Sequence, residues 1–128
     1  MKYYMEKTLD AEFDKAVELV KEALKNEGFG VLSEISVTKT LKEKLDVDFQ
    51  DYIILGACNP PLAHKALQFE DKIGTMLPCN VIVQTTKDGK SEVAAVDPFA
   101  SMQAVENDEL KDLAKTVRTK LDNVIKAL

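Results

Sequence analysis

The chain has 128 residues, 45% hydrophobic and 30% charged, and these values predict one globular domain spanning residues 1–128 with a core of its own. A net charge of −5 and a single arginine among seventeen basic residues argue against nucleic-acid binding. The longest apolar run, residues 52–58, is too short to cross a bilayer, and residues 1–7 lack the apolar stretch of a signal peptide. We therefore expect a cytoplasmic protein with no membrane and no nucleic acid among its partners.

The first part of the chain predicts a strand, a helix and a second strand. Residues 2–8 are β-prone, and Asp10 is placed to cap a helix that runs to about Glu27 with one apolar face. Apolar and polar residues then alternate over 29–37, which predicts a strand with one wet face.

The middle of the chain contains the predicted central strand. Residues 38–45 predict a short helix or turn anchored by Leu41 and Leu45. Residues 52–58 are apolar at nearly every position, which is typical of a strand covered on both sides. Two consecutive prolines then open a short helix over 60–69, because proline is tolerated in the first helical turn.

The last part predicts a hairpin, a loop and a long helix. The β-rich runs 79–86 and 91–96 are separated by an Asp-Gly turn, and residues 97–102 interrupt the strand pattern as a loop. An apolar stripe from Leu110 to Leu128 predicts an amphipathic helix that covers a sheet. Together these elements predict an α+β domain in the order β-α-β-(α)-β-α-β-β-α, with a mixed or antiparallel sheet of about five strands.

Both cysteines and the only histidine lie within 22 positions of one another, next to prolines. Cys58 ends the central strand just before a helix, where the helix dipole and free N–H groups favour a thiolate. His64 falls in the second turn of that helix. Cys79 shares strand parity with Val81 and Val83, which directs it to the covered face. If the two strands are neighbours, both cysteines come to one edge of the sheet.

Four motifs in this order resemble the small bacterial and archaeal family called domain of unknown function 302. They are Leu-Gly-Ala-Cys-Asn-Pro at 55–60, Ala-His-Lys-Ala-Leu at 63–67, Ile-Gly-Thr-Met-Leu-Pro-Cys-Asn at 73–80 and Asp-Pro at 97–98. The resemblance covers essentially the whole chain and implies a compact α+β domain that forms a homodimer. It supplies no activity and no catalytic residue, so the sequence does not decide whether the protein is an enzyme.

Three chemistries fit the candidate residues. Cys58, His64 and Cys79 form a three-ligand set for Zn²⁺, and a further soft ligand from Met76 or Met102 would shift the preference to Cu(I). Alternatively, Cys58 is a catalytic nucleophile with His64 as its base. In the third interpretation the two cysteines form a redox pair, although they lack the C-x-x-C spacing.

A different class of function needs no reactive thiol. In this alternative the domain is a dimeric module that binds a small ligand or a protein, and its cysteines are packed and inert. The sequence has no glycine-rich phosphate loop, which disfavours nucleotides. The residues predicted to line the pocket at the sheet end are Asn59, Pro60, Pro78, Asn80 and Asp97.

Overall fold

The computed structural model describes residues 2–128, which form an antiparallel sheet with helices packed against it. The strands are β1 (Tyr4–Leu9), β2 (Gly30–Ser36), β3 (Tyr52–Cys58), β4 (Cys79–Thr85) and β5 (Ser91–Val96). The helices are α1 (Phe13–Asn26), α2 (Val37–Leu45), α3 (Pro60–Phe69), α4 (Pro98–Ser101) and α5 (Asp108–Lys126), with a 3₁₀ helix at Asp71–Met76. The sheet order is β1-β5-β4-β3-β2, and every neighbouring pair is antiparallel. The predicted α+β class with a five-stranded sheet is confirmed.

The main core lies between the sheet and two long helices, α1 and α5, which pack on the same face. Each fully buried leucine or valine there contributes about 1.5–3 kcal/mol by leaving water. The largest fully buried side chains of this core are Val20, Leu24, Leu55, Val81, Val83, Val93, Leu121 and Val124.

A second, smaller core lies under α3. Its buried members come from α3, the 3₁₀ helix, the turn after α4 and the first half of α5. Helix α5 has 19 residues and is about 28 Å long, whereas a strand of six or seven residues spans about 20 Å. Its first half is therefore free to pack beside α3. The buried members are Ala66, Ile73, Met102, Leu110 and Ala114.

Two short segments differ from the sequence prediction. Helix α1 begins at Phe13 after an N-cap at Glu12, so Asp10 does not cap it. Pairing of β1 continues to Leu9, and the hydroxyl of Ser91 donates a hydrogen bond to the carbonyl of Ala11 (2.8 Å), which delays the start of the helix. Residues 97–102 contain the short helix α4 and are not the predicted loop.

A bulge in β2 overturns the predicted strand faces. Val31 pairs with Ala57 and Ser33 pairs with Gly56, so one extra residue is inserted between them. Beyond the bulge, Ile35 faces away from the helices and is 49% exposed. Glu34 takes the helix face instead, where it forms an ion pair with Lys21 of α1 (2.9 Å).

The side chains of α2 and β3 are also more exposed to solvent than the sequence predicts. Leu45 does not anchor α2, because it is 66% exposed, whereas Leu41 is half-buried. In β3 only residues 55–57 are buried, and the flanking positions are half-buried. None of the helices in the described part of the chain is both long and apolar enough to cross a membrane.

Candidate functional site

The two cysteines lie at the same end of the sheet. Cys58 is the last residue of β3 and Cys79 the first of β4, and Ala57 pairs directly with Cys79 across the ladder. The two strands are therefore neighbours, which is the condition under which the sequence places both cysteines at one edge of the sheet. Cys79 is buried and points into the core face, as its parity with Val81 predicts.

Beside this sheet end lies an apolar cavity of about 300 Å³, which we call the sulfur-lined cavity. Its walls are the ends of β3 and β4, one face of α3, the start of α4 and the first half of α5. All eighteen lining residues are uncharged, and three of them carry sulfur: Cys58, Cys79 and Met102. The cavity can therefore accept apolar or soft groups, but it offers no partner for a buried charge.

Cys79 is a protonated thiol at neutral pH. Burial raises the pKa of its thiol to about 11, and the neighbouring Cys58 adds to the shift in the same direction. The protonated form packs as a small apolar group between β3 and the helices. This environment fits a structural thiol more closely than a ready nucleophile.

Cys58 is half-buried, and the helix after it offers less than the sequence predicts. Asn59 is the N-cap of α3, and its Oδ1 accepts a hydrogen bond from the N–H of Leu62 (3.4 Å). The N–H of Ala63 bonds to the carbonyl of Asn59 (2.9 Å), and the two prolines between them carry no N–H. The N–H groups of this first turn are thus missing or used, so the free N–H groups that the sequence predicts beside Cys58 are not present.

His64 is exposed on α3 and is not among the residues that line the cavity. Successive helical residues are about 100° apart, so Leu62, Ala63, Ala66 and Leu67 share the cavity face while His64 points to another side. Among residues 2–128, no three His, Cys, Asp or Glu side chains form a group that could hold a metal ion. The structure therefore does not bring His64 together with Cys58 and Cys79.

The predicted pocket residues divide into two groups. Asn59 and Pro78 line the cavity. Pro60 is exposed at the start of α3, and Asn80 is exposed on the sheet face opposite the helices, where it lines a shallow groove. Asp97 does not line the cavity, although it follows β5 at the same end of the sheet.

Asp97 instead holds α4 in place. Its Oδ1 accepts hydrogen bonds from the N–H groups of Phe99 (3.0 Å) and Ala100 (3.3 Å), and its Oδ2 pairs with Nε of Arg118 (2.8 Å). The carboxylate is buried, whereas the Arg118 side chain is 50% exposed. The one arginine of the chain thus fixes a helix cap, which keeps Pro98 and Met102 against the cavity.

The two candidate methionines differ in position. Met102 is buried and lines the cavity, whereas Met76 is 39% exposed and lies outside it.

Sequence reasoning missed the cavity residues of α5, of which Leu110 and Val117 are examples. The apolar stripe of α5 could be recognised in the sequence. Only the length of this helix, which is greater than that of a strand, could have indicated that its first half packs beyond the sheet.

Gly56 of β3 is packed tightly against two neighbouring segments of the chain. A Cβ at this position would lie 2.8 Å from Cγ of Pro78 and would also collide with Oγ of Ser33 in the β2 bulge. Glycine is therefore required where the bulge and the approach to β4 meet. The peptide bond between Leu77 and Pro78 is cis.

Comparisons with known proteins identify the family but no activity. No functionally curated protein matches the chain. The fold is similar to the crystal structure of an uncharacterized conserved DUF302 protein from Bacillus stearothermophilus, with a TM-score of 0.91 and 28% identity over 98% of both chains. The profile of the family "Domain of unknown function DUF302" matches residues 5–128. The chain therefore belongs to the DUF302 family.

Proposed function

We propose that this protein binds a small, uncharged, apolar molecule in the sulfur-lined cavity. The observation that carries the proposal is a cavity of about 300 Å³ whose eighteen lining residues are all uncharged. That volume is at the lower end of pockets that hold small molecules. A dry cavity of about 150 Å³ accommodates benzene, so this one suits a ligand of about two fused rings.

The lining also restricts the chemistry of the ligand. The one amide side chain in the lining, Asn59, already accepts from Leu62 and donates from Nδ2 to the carbonyl of Glu27 (3.5 Å). A carboxylate or ammonium in the cavity would be left unpaired, at a cost of several kcal/mol. The cavity therefore selects against charged ligands.

Matched ligands test this selectivity. Isothermal titration should detect binding of naphthalene or 2-naphthol and at least tenfold weaker binding of 2-naphthoate, which has the same rings and a charge. Ala63 is half-buried in the lining, so Ala63→Phe should fill the cavity and abolish binding. Ala104→Phe on an exposed position is the control of equal size. Equal affinity for the two ligands, or an unchanged affinity in Ala63→Phe, would refute the proposal.

We also propose that the protein is a homodimer, with α2 and the segment after it at the interface. Helix α2 has only nine residues, none of them buried, and so short a helix is marginal without a packing partner. Leu45, Val47 and Phe49 expose 66%, 42% and 43% of their surface, which is an apolar patch of the kind that marks an interface.

Sedimentation velocity tests the dimer. The wild type should sediment as a dimer, and Phe49→Asp should produce monomers because it places a charge in the interface. Leu19→Asp, at an exposed leucine of α1, is the control and should remain dimeric. A monomeric wild type at the highest soluble concentration would contradict the proposal.

A cytoplasmic location is part of the same proposal. Both cysteines are free, and reducing compartments keep thiols in this state. Fractionation of cells that express the untagged protein should recover it in the cytoplasm. Recovery in an oxidising compartment would contradict this part of the proposal.

A further inference from the structure

One face of the sheet is turned away from the two long helices. Helices α1 and α5 pack on the face that bears Val81 and Val83, so Ile82, which lies between them in β4, points to the other side. The ladder pairs Ile82 with Ile54 of β3, and Ile54 with Ile35 of β2. Paired residues have their side chains on the same face. Three isoleucines, here called the isoleucine row, therefore cross three adjacent strands on the outer face of the sheet.

The isoleucine row differs from what a sheet face in water predicts. An antiparallel sheet with one solvated face normally alternates apolar residues on the core side with polar residues on the outer side. Here the outer positions of the row are Ile35, Ile54 and Ile82, followed by Ala94 of β5. A charge enters only at Glu6 of the edge strand β1, which is the ladder partner of Ala94. An apolar centre with charge at its margin is typical of a protein interface.

The isoleucine row is continuous with the exposed apolar patch that follows α2. The ring of Phe49 in this patch is close to that of Tyr52, with centroids 6.2 Å apart, and Tyr52 lies two residues before Ile54 on the same face. The Nε2 of Gln50 donates a hydrogen bond to Oε1 of Gln84 (2.7 Å), which is the ladder partner of Tyr52. The patch and the row thus form one surface.

The size of this surface favours a second copy of the chain as its occupant. The three side chains of the patch after α2 present on the order of 300 Å², whereas a standard interface buries about 800 Å² on each partner. A sheet face of five strands, about 4.8 Å apart and about 20 Å long, adds roughly 400–500 Å². Only the combined surface approaches the area that a stable dimer needs.

We propose that the outer face of the sheet packs on the same face of a second copy, with the isoleucine row at the centre of the interface. This inference rests on the proposed homodimer and extends its interface from the patch after α2 to the sheet. A two-fold interface is self-complementary, so the residues at its centre meet their own copies. Ile54 is the middle member of the row and is therefore placed at the axis, between Ile35 and Ile82.

Sedimentation velocity of two matched variants tests the interface. Ile35→Lys introduces a charge at a side chain that is 49% exposed in an edge strand, so the fold should tolerate it. The dissociation constant of the dimer should rise at least about tenfold, because the charge would be buried among apolar groups. Leu32→Lys in the same strand is the control. Leu32 is 71% exposed but lines the sulfur-lined cavity, so this variant should dimerise as the wild type does.

A cross-link tests the same interface without a buried charge. Packed sheets lie about 10 Å apart, so a short bismaleimide can join two cysteines that face each other across the axis. In a Cys58→Ser background, which removes the half-buried native thiol, Ile54→Cys should give a cross-linked dimer. Thr8→Cys in the same background is the control, because Thr8 is exposed on the same face but lies in the edge strand β1, and it should give monomer.

The outcomes separate this inference from the proposed homodimer. If Phe49→Asp is monomeric while Ile35→Lys dimerises normally and Ile54→Cys does not cross-link, the interface is confined to the patch after α2. This inference is then wrong and the proposed homodimer stands. Equal weakening by Leu32→Lys and Ile35→Lys would also overturn it, because the effect would not be specific to the outer face. A monomeric wild type overturns both. If circular dichroism shows that Ile35→Lys is not native, the cross-link decides.

Discussion

Removal of the Asp97 carboxylate tests how α4 is held against the cavity. Asp97→Ala deletes the cap of α4, with its bonds to Phe99 and Ala100, and the ion pair with Arg118. Asp97→Asn keeps an oxygen that can accept the cap hydrogen bonds but removes the charge. The two variants therefore separate the cap from the ion pair.

The expected magnitude follows from these contacts. Loss of a helix N-cap costs about 1 kcal/mol. The ion pair adds up to about 1 kcal/mol, because the Arg118 side chain is 50% exposed and solvent screens the charge. We therefore expect Asp97→Ala to lose about 2 kcal/mol of unfolding free energy and Asp97→Asn about 1 kcal/mol. For a domain of this size, 2 kcal/mol lowers Tm by about 6–8 °C.

Urea unfolding followed by circular dichroism measures both variants, and a thermal scan supplies Tm. Arg118→Met completes a double-mutant cycle that isolates the interaction between the two side chains. If Asp97→Ala differs from wild type by less than about 0.5 kcal/mol, the value typical of an unremarkable surface change, the cap assignment is wrong. If Asp97→Asn costs as much as Asp97→Ala, the charge matters and the cap does not.

Four further outcomes follow from the sheet, its cysteines and the main core. Gly56→Ala should lower the free energy of unfolding by about 1–3 kcal/mol in urea. Adding Ser33→Ala to this variant should restore part of that free energy, because it removes the hydroxyl that collides with the new methyl group. No recovery would rule out that clash. The pKa of Cys79 is raised from 9.0 to about 11 on folding. The contribution of the buried, protonated thiol to the free energy of unfolding is therefore complete below pH 9 and is lost as pH rises towards 11. The free energy of unfolding of the wild type should accordingly fall by about 2–3 kcal/mol more than that of Cys79→Ala between pH 9 and pH 11. Unfolding free energies that change in parallel with pH in the two proteins would contradict the raised pKa. Ellman's reagent at pH 8 should label the half-buried Cys58 faster than the buried Cys79, which should react fully only after denaturation. Equal labelling rates in the native protein would contradict the burial of Cys79. Leu24→Ala, at a fully buried position, should cost about 3–5 kcal/mol, and a cost below 1 kcal/mol would show that the main core is loosely packed.

Much of the fold was predictable because its signals are local. The Asp-Gly turn located the β4–β5 hairpin, and the consecutive prolines located the start of α3 at Pro60. The apolar stripe identified α5, with bounds within two residues of the prediction. These patterns depend on neighbouring residues, so tertiary contacts do not override them.

The errors come from contacts between distant segments. The β2 bulge turns Ile35 outwards and Glu34 inwards, and it is fixed by the close approach of Ser33 to Gly56 in another strand. Periodicity within β2 cannot reveal an inserted residue. In the same way, Asp97 looked like a pocket residue in a loop because its partner, Arg118, is 21 positions away on α5.

The candidate site was predicted in part. The sequence indicated that Cys58 and Cys79 meet at one sheet end if their strands are neighbours, and the pairing of β3 with β4 supplies that condition. It did not indicate which face of α3 carries His64, because the position of the cavity depends on how α5 packs. Met102 appeared only as an optional ligand, and the packing of the turn after α4 is what brings it to the cavity.

The β2 bulge also bears on how the protein avoids aggregation. Strands β1 and β2 are the two edges of the sheet, and an exposed flat edge is a template for pairing with other chains. The bulge twists the β2 edge, and each edge strand carries an inward-pointing charge on the helix face, Glu34 in β2 and Lys7 in β1. A chain added to either edge would have to accommodate a charged side chain beside it. The irregularity that defeats the strand pattern is therefore also a feature that disfavours pairing between the sheets of two molecules.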